Sequence, residues 1–450
     1  MAILAPFKGL TYNFQRFHDL SNLVAPPYDV ISEKEQDLYY RTHPYNVIRL
    51  ILAKKKTGDS DWDNRYTRAA DTLKRWESED ALIRSDHPAM YLTSLEYDPG
   101  DGTKRVRWGL IAVVRIEDEG SRVILPHEQT FSAHKDDRLR LMRACNTQLS
   151  QIFGLYDDPD DLILDSLRKA VYDPPLASFE FKDKTKYEMW EVLDQAIFKK
   201  VARFMKDKAI FIADGHHRYE TARNFRNLMR ARYGKIPENR SHEFILMYLA
   251  NMNDPGLTIL PSHRLIRKCD GFKLSGFLDK LKKAFDIQEF PYTPSGRSQQ
   301  IADFKKKLED KGRATTAMGF YHRQSELFFL LSLRPGARDT MGDGLASSLK
   351  NLDVMVLSRL VLLKGLGFTK EDLDNEALFH YSSNMTEAVS EVTSGAYEMT
   401  FLLNPTKMDH VKEVAGHGLI MPRKSTYFYP KVLTGLVFNK IDPNEIIHTS

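Results

Sequence analysis

Residues 209–222 constrain the fold of this chain most, because they join a strand pattern directly to a helix pattern. The run 209–213 is short, apolar and rich in β-branched and aromatic side chains, which predicts a buried strand. Asp214 and Gly215 interrupt it, and apolar side chains then recur at helical spacing, which predicts a helix that begins near Gly215. The chain must therefore contain a sheet with a helix leaving the end of one strand.

The first turn of this predicted helix carries His216, His217 and Arg218. Cations at a helix N-terminus oppose the helix dipole, whereas an anion there is stabilised by the dipole and by backbone N–H groups. A bound phosphate would remove the conflict, so we predict that Gly215, His216 and Arg218 bind a phosphate group. Asp214 and His217 are predicted to act in catalysis, Asp214 by binding the substrate or a metal. The alternative is a set of solvated first-turn side chains beside a buried histidine.

A second polar segment, residues 125–130, follows another strand pattern and carries His127, Glu128 and Thr130. We predict that it forms a second wall of the pocket, with Glu128 or His127 as general base and Glu128 as the leading candidate. His127, Thr130 and Arg138 are predicted to contact the substrate. A plain loop with surface charges is the alternative interpretation.

A strand pattern at 243–251 leads into a segment that ends in His263 and Arg264. A single His-Arg pair after a strand is unremarkable, but here the pattern seen at 209–218 is repeated. The repetition predicts that His263 and Arg264 also contact the substrate.

The C-terminal segment 421–431 combines prolines with hydroxyl, lysine and aromatic side chains. Prolines restrict the backbone, while hydroxyls and amines donate hydrogen bonds to phosphate oxygens. We predict an anion-binding loop in which Lys424, Ser425, Thr426 and Lys431 form a second phosphate clamp and which folds back toward the pocket. The segment lacks the glycines of a Walker loop, and a basic surface loop is the alternative.

The elements predict an α+β fold with mixed sheets in three parts. Residues 1–270 form the main body with the pocket, residues 271–335 form an inserted or second α+β unit, and residues 349–450 form a C-terminal α+β segment. Helices are predicted over 138–153 and over about 189–206.

Composition excludes several classes of protein. A net charge of +4 on 450 residues is nearly balanced, which argues against a dedicated nucleic-acid binder. Cys145 and Cys269 lack the spacing of metal ligands and fit a reducing cytoplasm, and no dedicated metal site is assigned. No apolar run reaches the length of a membrane helix, so we expect a cytoplasmic protein with no membrane partner.

Several motifs together closely resemble the bacterial and archaeal family called domain of unknown function 1015 (DUF1015). The resemblance extends over nearly the whole chain, from residues 26–29 to residues 435–441, and it implies no established activity. The segments that carry it are 125–130, 136–138, 209–222, 260–264 and 421–431.

Residues 214–218 also resemble, more distantly, the phosphate-binding motif of the ParB and sulfiredoxin-like superfamily, which includes free-serine kinases. The resemblance implies a ParB/sulfiredoxin-like phosphate-binding core, with nucleotide phosphates at the turn from Gly215 to Arg218 and a carboxylate that deprotonates the substrate hydroxyl. In sulfiredoxins a reactive cysteine stands where this chain has His216, so reduction of sulfinic acids by that cysteine is not expected.

Phosphoryl transfer fits this set of residues, because the reaction needs positioned phosphates, cationic donors, Mg²⁺ and one carboxylate. We predict an ATP- or ADP-dependent phosphotransferase with Mg²⁺ that acts on a small hydroxyl substrate, with free serine as the first to test. A nucleotide-responsive binding protein without turnover is the runner-up. A metal-dependent hydrolase using His127, His216, His217 and His263 is a third interpretation, although adjacent histidines lack the i, i+4 spacing of helical ligands. The sequence leaves the oligomeric state open.

Overall fold

The computed structural model describes residues 1–128, 132–293, 296–375 and 377–449, with the side chains of residues 132–134 left out. The chain divides into two compact units. Unit 1 consists of Met1–Pro126, Thr130–Thr258 and Phe428–Ser450, and unit 2 consists of His127–Gln129 and Ile259–Tyr427. Both units contain segments that are distant in the sequence.

Within the described residues, a mixed sheet of nine strands forms the centre of unit 1. The strand order is β6-β11-β8-β12-β5-β4-β10-β9, and β1 also pairs with β5. The pairs β6–β11 and β8–β12 are parallel, whereas the other neighbours are antiparallel. The strands are β1 (Leu4–Ala5), β4 (Met90–Tyr97), β5 (Arg105–Arg115), β6 (Ile124–Leu125), β8 (Ile152–Tyr156), β9 (Ala177–Glu180), β10 (Lys186–Val192), β11 (Ile210–Asp214) and β12 (Phe244–Asn251).

A smaller antiparallel sheet and several helices complete unit 1. The sheet has the order β3-β2-β21-β7, with β2 (Gly9–Tyr12), β3 (Leu82–Arg84), β7 (Thr147–Gln148) and β21 (Phe438–Lys440). The α-helices are α1 (Glu33–Thr42), α2 (Ile48–Ile51), α3 (Arg65–Ser78), α4 (Ser132–Cys145), α5 (Leu162–Arg168), α6 (Gln195–Met205) and α7 (His216–Tyr233).

The core of unit 1 lies between the large sheet and its helices. All eight residues of β12 are buried, as expected for a central strand that is covered on both faces. Tyr219 and Ala222 of α7 lie in the same hydrophobic cluster as Ile210 and Ile212 of β11. The strand and the helix that flank the Asp-Gly turn are therefore both anchored in one core.

Unit 2 is a second α+β unit, built around an antiparallel sheet whose described strands have the order β15-β17-β16-β19-β14-β18. Two clusters of buried apolar side chains form its core. The strands are β14 (His263–Ile266), β15 (Phe285–Pro291), β16 (Ala317–His322), β17 (Leu327–Leu333), β18 (Phe379–Ser382) and β19 (Met399–Leu403). The α-helices are α8 (Leu274–Leu281), α9 (Arg297–Ala314), α10 (Ser347–Lys350), α11 (Asp353–Val356), α12 (Lys370–Leu373), α13 (Met385–Thr393) and α14 (Met408–Gly416), and Leu357–Leu366 is a π-helix. The remaining strands, β13 (Thr258–Leu260) and β20 (Tyr427–Tyr429), lie where the chain passes from one unit to the other.

The predicted α+β class with mixed sheets is confirmed, but two predicted helices are wrong in part. The helix predicted over 138–153 ends at Cys145, because Asn146 adopts a left-handed φ of 46° and the chain continues as β7 and β8. The helix predicted from residue 189 begins only at Gln195, since Met189 pairs with Thr93 as part of β10. The domain boundaries predicted at residues 270, 335 and 349 stay predictions, and they differ from the bounds of the two units given above.

Candidate functional site

The predicted phosphate turn lies at the end of β11, where the strand meets α7. A β-bulge between Ile212 and Asp214 shifts the register against β8, so that Asp214 lies opposite Phe153. Gly215 follows with a φ of 95°, in the left-handed region that glycine adopts without strain, and α7 begins at His216. The bulge and the glycine together turn the chain from strand to helix within two residues.

The Asp214 carboxylate holds two cations, one on each oxygen. Oδ1 accepts a hydrogen bond from Lys431 Nζ at 2.6 Å, and Oδ2 accepts one from the Arg218 guanidinium. Each of these three side chains keeps only 11–14% of its area exposed, so water screens their charges weakly. This trio carries one net positive charge, which is the sign that an anionic ligand requires.

Arg218 folds back against the turn rather than extending into solvent. Its guanidinium also donates to the main-chain oxygen of Gln151, just before β8. A Cβ atom on Gly215 would lie 2.9 Å from Arg218 Nε, so the close approach of the guanidinium depends on the glycine. Gly215 is therefore needed both for its backbone angle and for the placement of Arg218.

The two histidines of the motif occupy the first turn of α7. His216 is buried and His217 is half-buried. The first main-chain hydrogen bond of the helix runs from Tyr219 N to Gly215 O at 3.0 Å. The main-chain N–H groups of residues 216–218 come before this bond, so they have no acceptor within the α-helix itself.

Arg138 lies on α4 in a second charged cluster of unit 1. Its guanidinium stacks on the Tyr28 ring at 3.9 Å, donates to Ile51 O at 2.7 Å and pairs with Asp137. Burial raises the pKa of the Asp137 carboxyl, but the charge of Arg138 and the hydrogen bond from Tyr66 outweigh it, so the pKa lies below its ordinary value. Asp137 is therefore a charged partner that holds Arg138 in place.

A small cavity of about 40 Å³ is lined by both Arg138 and Arg218. Burial raises the pKa of Tyr28, in the same lining, to about 12, although the two arginines act to lower it. The phenol therefore stays protonated and can donate a hydrogen bond. A volume of this size holds about one water molecule and is far smaller than a nucleotide site.

In unit 2, His127 and Glu128 pair with the C-terminal basic segment. Glu128 forms a parallel β-bridge with Met421, whose N–H donates to His127 O at 2.8 Å. His127 Nε2 lies 3.3 Å from Thr426 Oγ1. Complete burial lowers the pKa of His127 to about 4, so its ring is neutral at pH 7 and acts as a hydrogen-bonding group beside Thr426.

Arg264 supports the same segment through main-chain contacts. Its guanidinium donates to Lys424 O at 2.8 Å and to Ser262 O at 2.6 Å, and it stacks on the Tyr381 ring at 4.6 Å. Lys424 adopts a left-handed φ of 57°, and Ser425 Oγ donates to Pro422 O at 2.5 Å. The loop around Lys424 is thus an ordered turn clamped by a buried arginine.

His263 and Arg264 follow β13 and are themselves the first two residues of β14. His263 Nδ1 accepts a hydrogen bond from Leu403 N at 3.1 Å, which places the ring proton on Nε2. Burial and the charge of Arg264 lower the pKa of His263 to about 3. The contacts of this histidine tie β14 to β19.

The predicted site residues fall into two sets. Thr130 lies outside the described residues. The assigned roles, including that of Glu128 as general base, stay predictions. Unit 1 holds Arg138, Asp214, Gly215, His216, His217, Arg218 and Lys431, whereas unit 2 holds His127, Glu128, His263, Arg264, Lys424, Ser425 and Thr426.

Two residues that support the unit 1 set were missed by the sequence analysis. The Gln151 main chain holds Arg218, as described above. Arg107 is fully buried, and its guanidinium donates to Tyr429 O and to Tyr248 Oη, both at 3.1 Å. It thereby holds the chain two residues before Lys431. The sequence did contain a signal for Arg107, which is a charged residue inside an apolar strand pattern. It contained no signal that pointed to Gln151.

The described part of the chain lacks two features. It contains no group of three or more His, Cys, Asp or Glu side chains placed to hold a metal ion. None of its helices combines the length and the apolar character needed to cross a membrane.

A family model described as "Protein of unknown function (DUF1015)" matches residues 4–355. The search of curated proteins found no match.

Solved structures resemble the chain at low sequence identity. A free serine kinase mutant in complex with AMP is 11% identical with a TM-score of 0.39, and the match covers 78% of this chain and 99% of that one. Another free serine kinase mutant, with ADP, is 10% identical with a TM-score of 0.38 and the same coverage. A conserved hypothetical protein from Pyrococcus furiosus is 12% identical with a TM-score of 0.32, over 72% of this chain and 92% of that one.

Proposed function

This chain belongs to the DUF1015 family of proteins of unknown function, and we propose that it is a nucleotide-dependent phosphotransferase acting on a small hydroxyl substrate. The observation that carries the proposal is the Asp214 carboxylate, which holds Arg218 and Lys431 at the end of β11. Two cations beside the first turn of a helix form an environment that attracts phosphate oxygens.

In this proposal the phosphates of ATP or ADP bind at the first turn of α7, with Lys431 and Arg218 neutralising their charge. The substrate hydroxyl oxygen attacks the terminal phosphorus, a new O–P bond forms, and the bond to the leaving nucleotide breaks. The hydroxyl proton passes to a carboxylate, for which Glu128 remains the sequence-based candidate. Mg²⁺ would serve as the counter-ion of the nucleotide phosphates.

For Asp214 the proposal differs from the role predicted from the sequence. Both of its oxygens are engaged by cations, so binding Mg²⁺ would require displacing Lys431 or Arg218. We propose that Asp214 positions these two cations and does not ligate the metal.

The proposal is tested by incubating the protein with serine, Mg²⁺ and either ATP or ADP and measuring phosphoserine by mass spectrometry. Arg218→Ala should abolish product and weaken nucleotide binding measured by calorimetry. Arg232→Ala is the matched control, because it removes an exposed arginine from the last turn of the same helix, at the opposite end from the proposed phosphate site. Absence of phosphoserine above the Arg218→Ala background removes serine as the substrate, and absence of nucleotide binding removes the proposal.

A second candidate is a nucleotide-binding protein without turnover. It is favoured by the two charge-assisted hydrogen bonds on the Asp214 carboxylate, because a carboxylate at the phosphate turn that already holds two cations is a weak acceptor for a substrate proton. Calorimetry that detects binding sensitive to Arg218→Ala, together with no product from serine or other small alcohols, would select this candidate.

A further inference from the structure

A cavity of about 590 Å³ lies in unit 1, at the first turn of α6 and along the C-terminal residues 445–449. Its volume falls within the range of small-molecule sites. Its lining includes the exposed side chain of Leu193 and the buried side chains of Phe7, Phe198 and Ile447. The cavity shares no residue with the phosphate turn, so a ligand here is independent of the proposed phosphotransferase.

Of Glu445, Lys8 and Lys199 in the lining, only Glu445 has an ion-pair partner among the described residues. Glu445 accepts hydrogen bonds from Arg84 Nη2 at 2.7 Å on both of its oxygens, so its negative charge is compensated. Lys8 and Lys199 also line the cavity, and neither has an ion-pair or hydrogen-bond partner for its amine among the described residues. The lining therefore offers two uncompensated positive charges beside an apolar surface.

We propose that this cavity binds an amphipathic organic anion. The anionic group contacts Lys8 and Lys199, and the apolar body packs against Leu193, above the buried Phe7 and Phe198. A purely polar anion would leave the exposed Leu193 side chain of the lining without a partner, and a neutral apolar molecule would leave the two ammonium groups without a counter-charge. A ligand with both features satisfies both parts of the lining.

The test uses two probes that differ by one charged group. 1-Anilinonaphthalene-8-sulfonate carries a sulfonate, and N-phenyl-1-naphthylamine has the same rings without it. Binding of each probe to the full chain is measured by calorimetry, which also gives the stoichiometry. Decanoate and naphthalene-2-sulfonate then compete with the bound sulfonate probe, and displacement by either supports the proposal and identifies the preferred apolar body.

The variants separate the charge from the apolar surface. The double variant Lys8→Gln, Lys199→Gln should weaken the sulfonate probe about tenfold and leave the neutral probe unchanged within about twofold. Leu193→Trp places a larger side chain at an exposed position of the lining and should weaken both probes. Lys200→Gln is the matched control, because Lys200 is exposed, adjacent to Lys199 and outside the lining.

Three results would overturn the proposal. The first is no binding of the sulfonate probe up to about 1 mM. The second is binding that neither the lysine pair nor Leu193→Trp alters, since the probe then lies elsewhere. The third is an equal loss for Lys200→Gln, since the effect then reflects general surface charge.

Discussion

The contact between Asp214 and Lys431 allows a quantitative test of the unit 1 site. The two charged atoms lie 2.6 Å apart, and each side chain is 14% exposed. With an effective dielectric constant near 20, charges separated by about 3 Å attract by roughly 5 kcal/mol, and desolvation of both groups cancels part of this energy. We expect a net coupling free energy of about 2 kcal/mol.

The two single variants should differ in their effect. Lys431→Met leaves Asp214 paired with Arg218, so we expect a loss of about 1–2 kcal/mol. Asp214→Asn leaves two cations facing each other without their shared carboxylate, so we expect a loss of about 3–4 kcal/mol. The coupling is obtained from these two variants and their combination.

Tryptophan fluorescence during urea unfolding is a suitable assay, because all four tryptophans, Trp62, Trp76, Trp108 and Trp190, lie in unit 1. The signal therefore reports the free energy of unfolding of the unit that contains the contact. A cycle at Asp165 and Lys169 is the control, since this pair has the same 2.6 Å distance but is largely exposed, and its coupling should be too small to measure. A coupling below about 0.5 kcal/mol at Asp214 and Lys431 would refute the argument.

Three further outcomes are expected. Gly215→Ala should destabilise unit 1 by about 2–3 kcal/mol, because backbone strain adds to the displacement of Arg218. The control Gly120→Ala should cost only about 1 kcal/mol, since Gly120 has a left-handed φ of 82° but no neighbouring atom within 4 Å. Equal losses of the two variants in fluorescence-monitored unfolding would contradict the contact with Arg218. The pKa of His263 is lowered to about 3 in the folded protein, so the unfolded chain takes up the proton first and the free energy of unfolding falls as the pH drops below about 6.5. Between pH 7 and pH 5 the unchanged protein should lose about 2 kcal/mol more of this free energy than the His263→Gln variant, as measured by calorimetry. Parallel pH profiles for the two proteins would be evidence against this. Burial raises the pKa of the Cys145 thiol to about 12, whereas Cys269 is only half-buried. Iodoacetamide at pH 8 should therefore modify Cys269 before Cys145, as measured by peptide mass spectrometry. The reverse order of modification would contradict this prediction.

Local sequence patterns correctly predicted those elements around the site whose structure depends mainly on residues close in sequence. The buried strand before Asp214 and the helix after Gly215 follow from side-chain periodicity and from the Asp-Gly break. The helix predicted through residues 146–153 failed, because pairing of β7 and β8 in two sheets outweighed the local helical pattern.

The chemistry of the candidate site was predicted less completely than its location. The sequence indicated cations at a helix start, and Asp214 and Arg218 do lie together as neighbours four residues apart. It did not predict that Asp214 shares its carboxylate with Lys431, since 217 residues separate them. Its assignment of Arg264 to a substrate stays a prediction, and it did not predict that this guanidinium donates to Lys424 O and to Ser262 O and stacks on the Tyr381 ring.

The sequence by itself determined the α+β class, the junction of strand and helix at residues 209–222 and the family, because these depend on local periodicity and on continuous motifs. Only the tertiary structure decided the bulge before Asp214, the pairing with Lys431 and the support from Gln151 and Arg107. The physical reason is the length scale of each interaction. Periodicity acts over a few residues, whereas a charge buried in a sheet finds its partner wherever the fold brings one within hydrogen-bond distance.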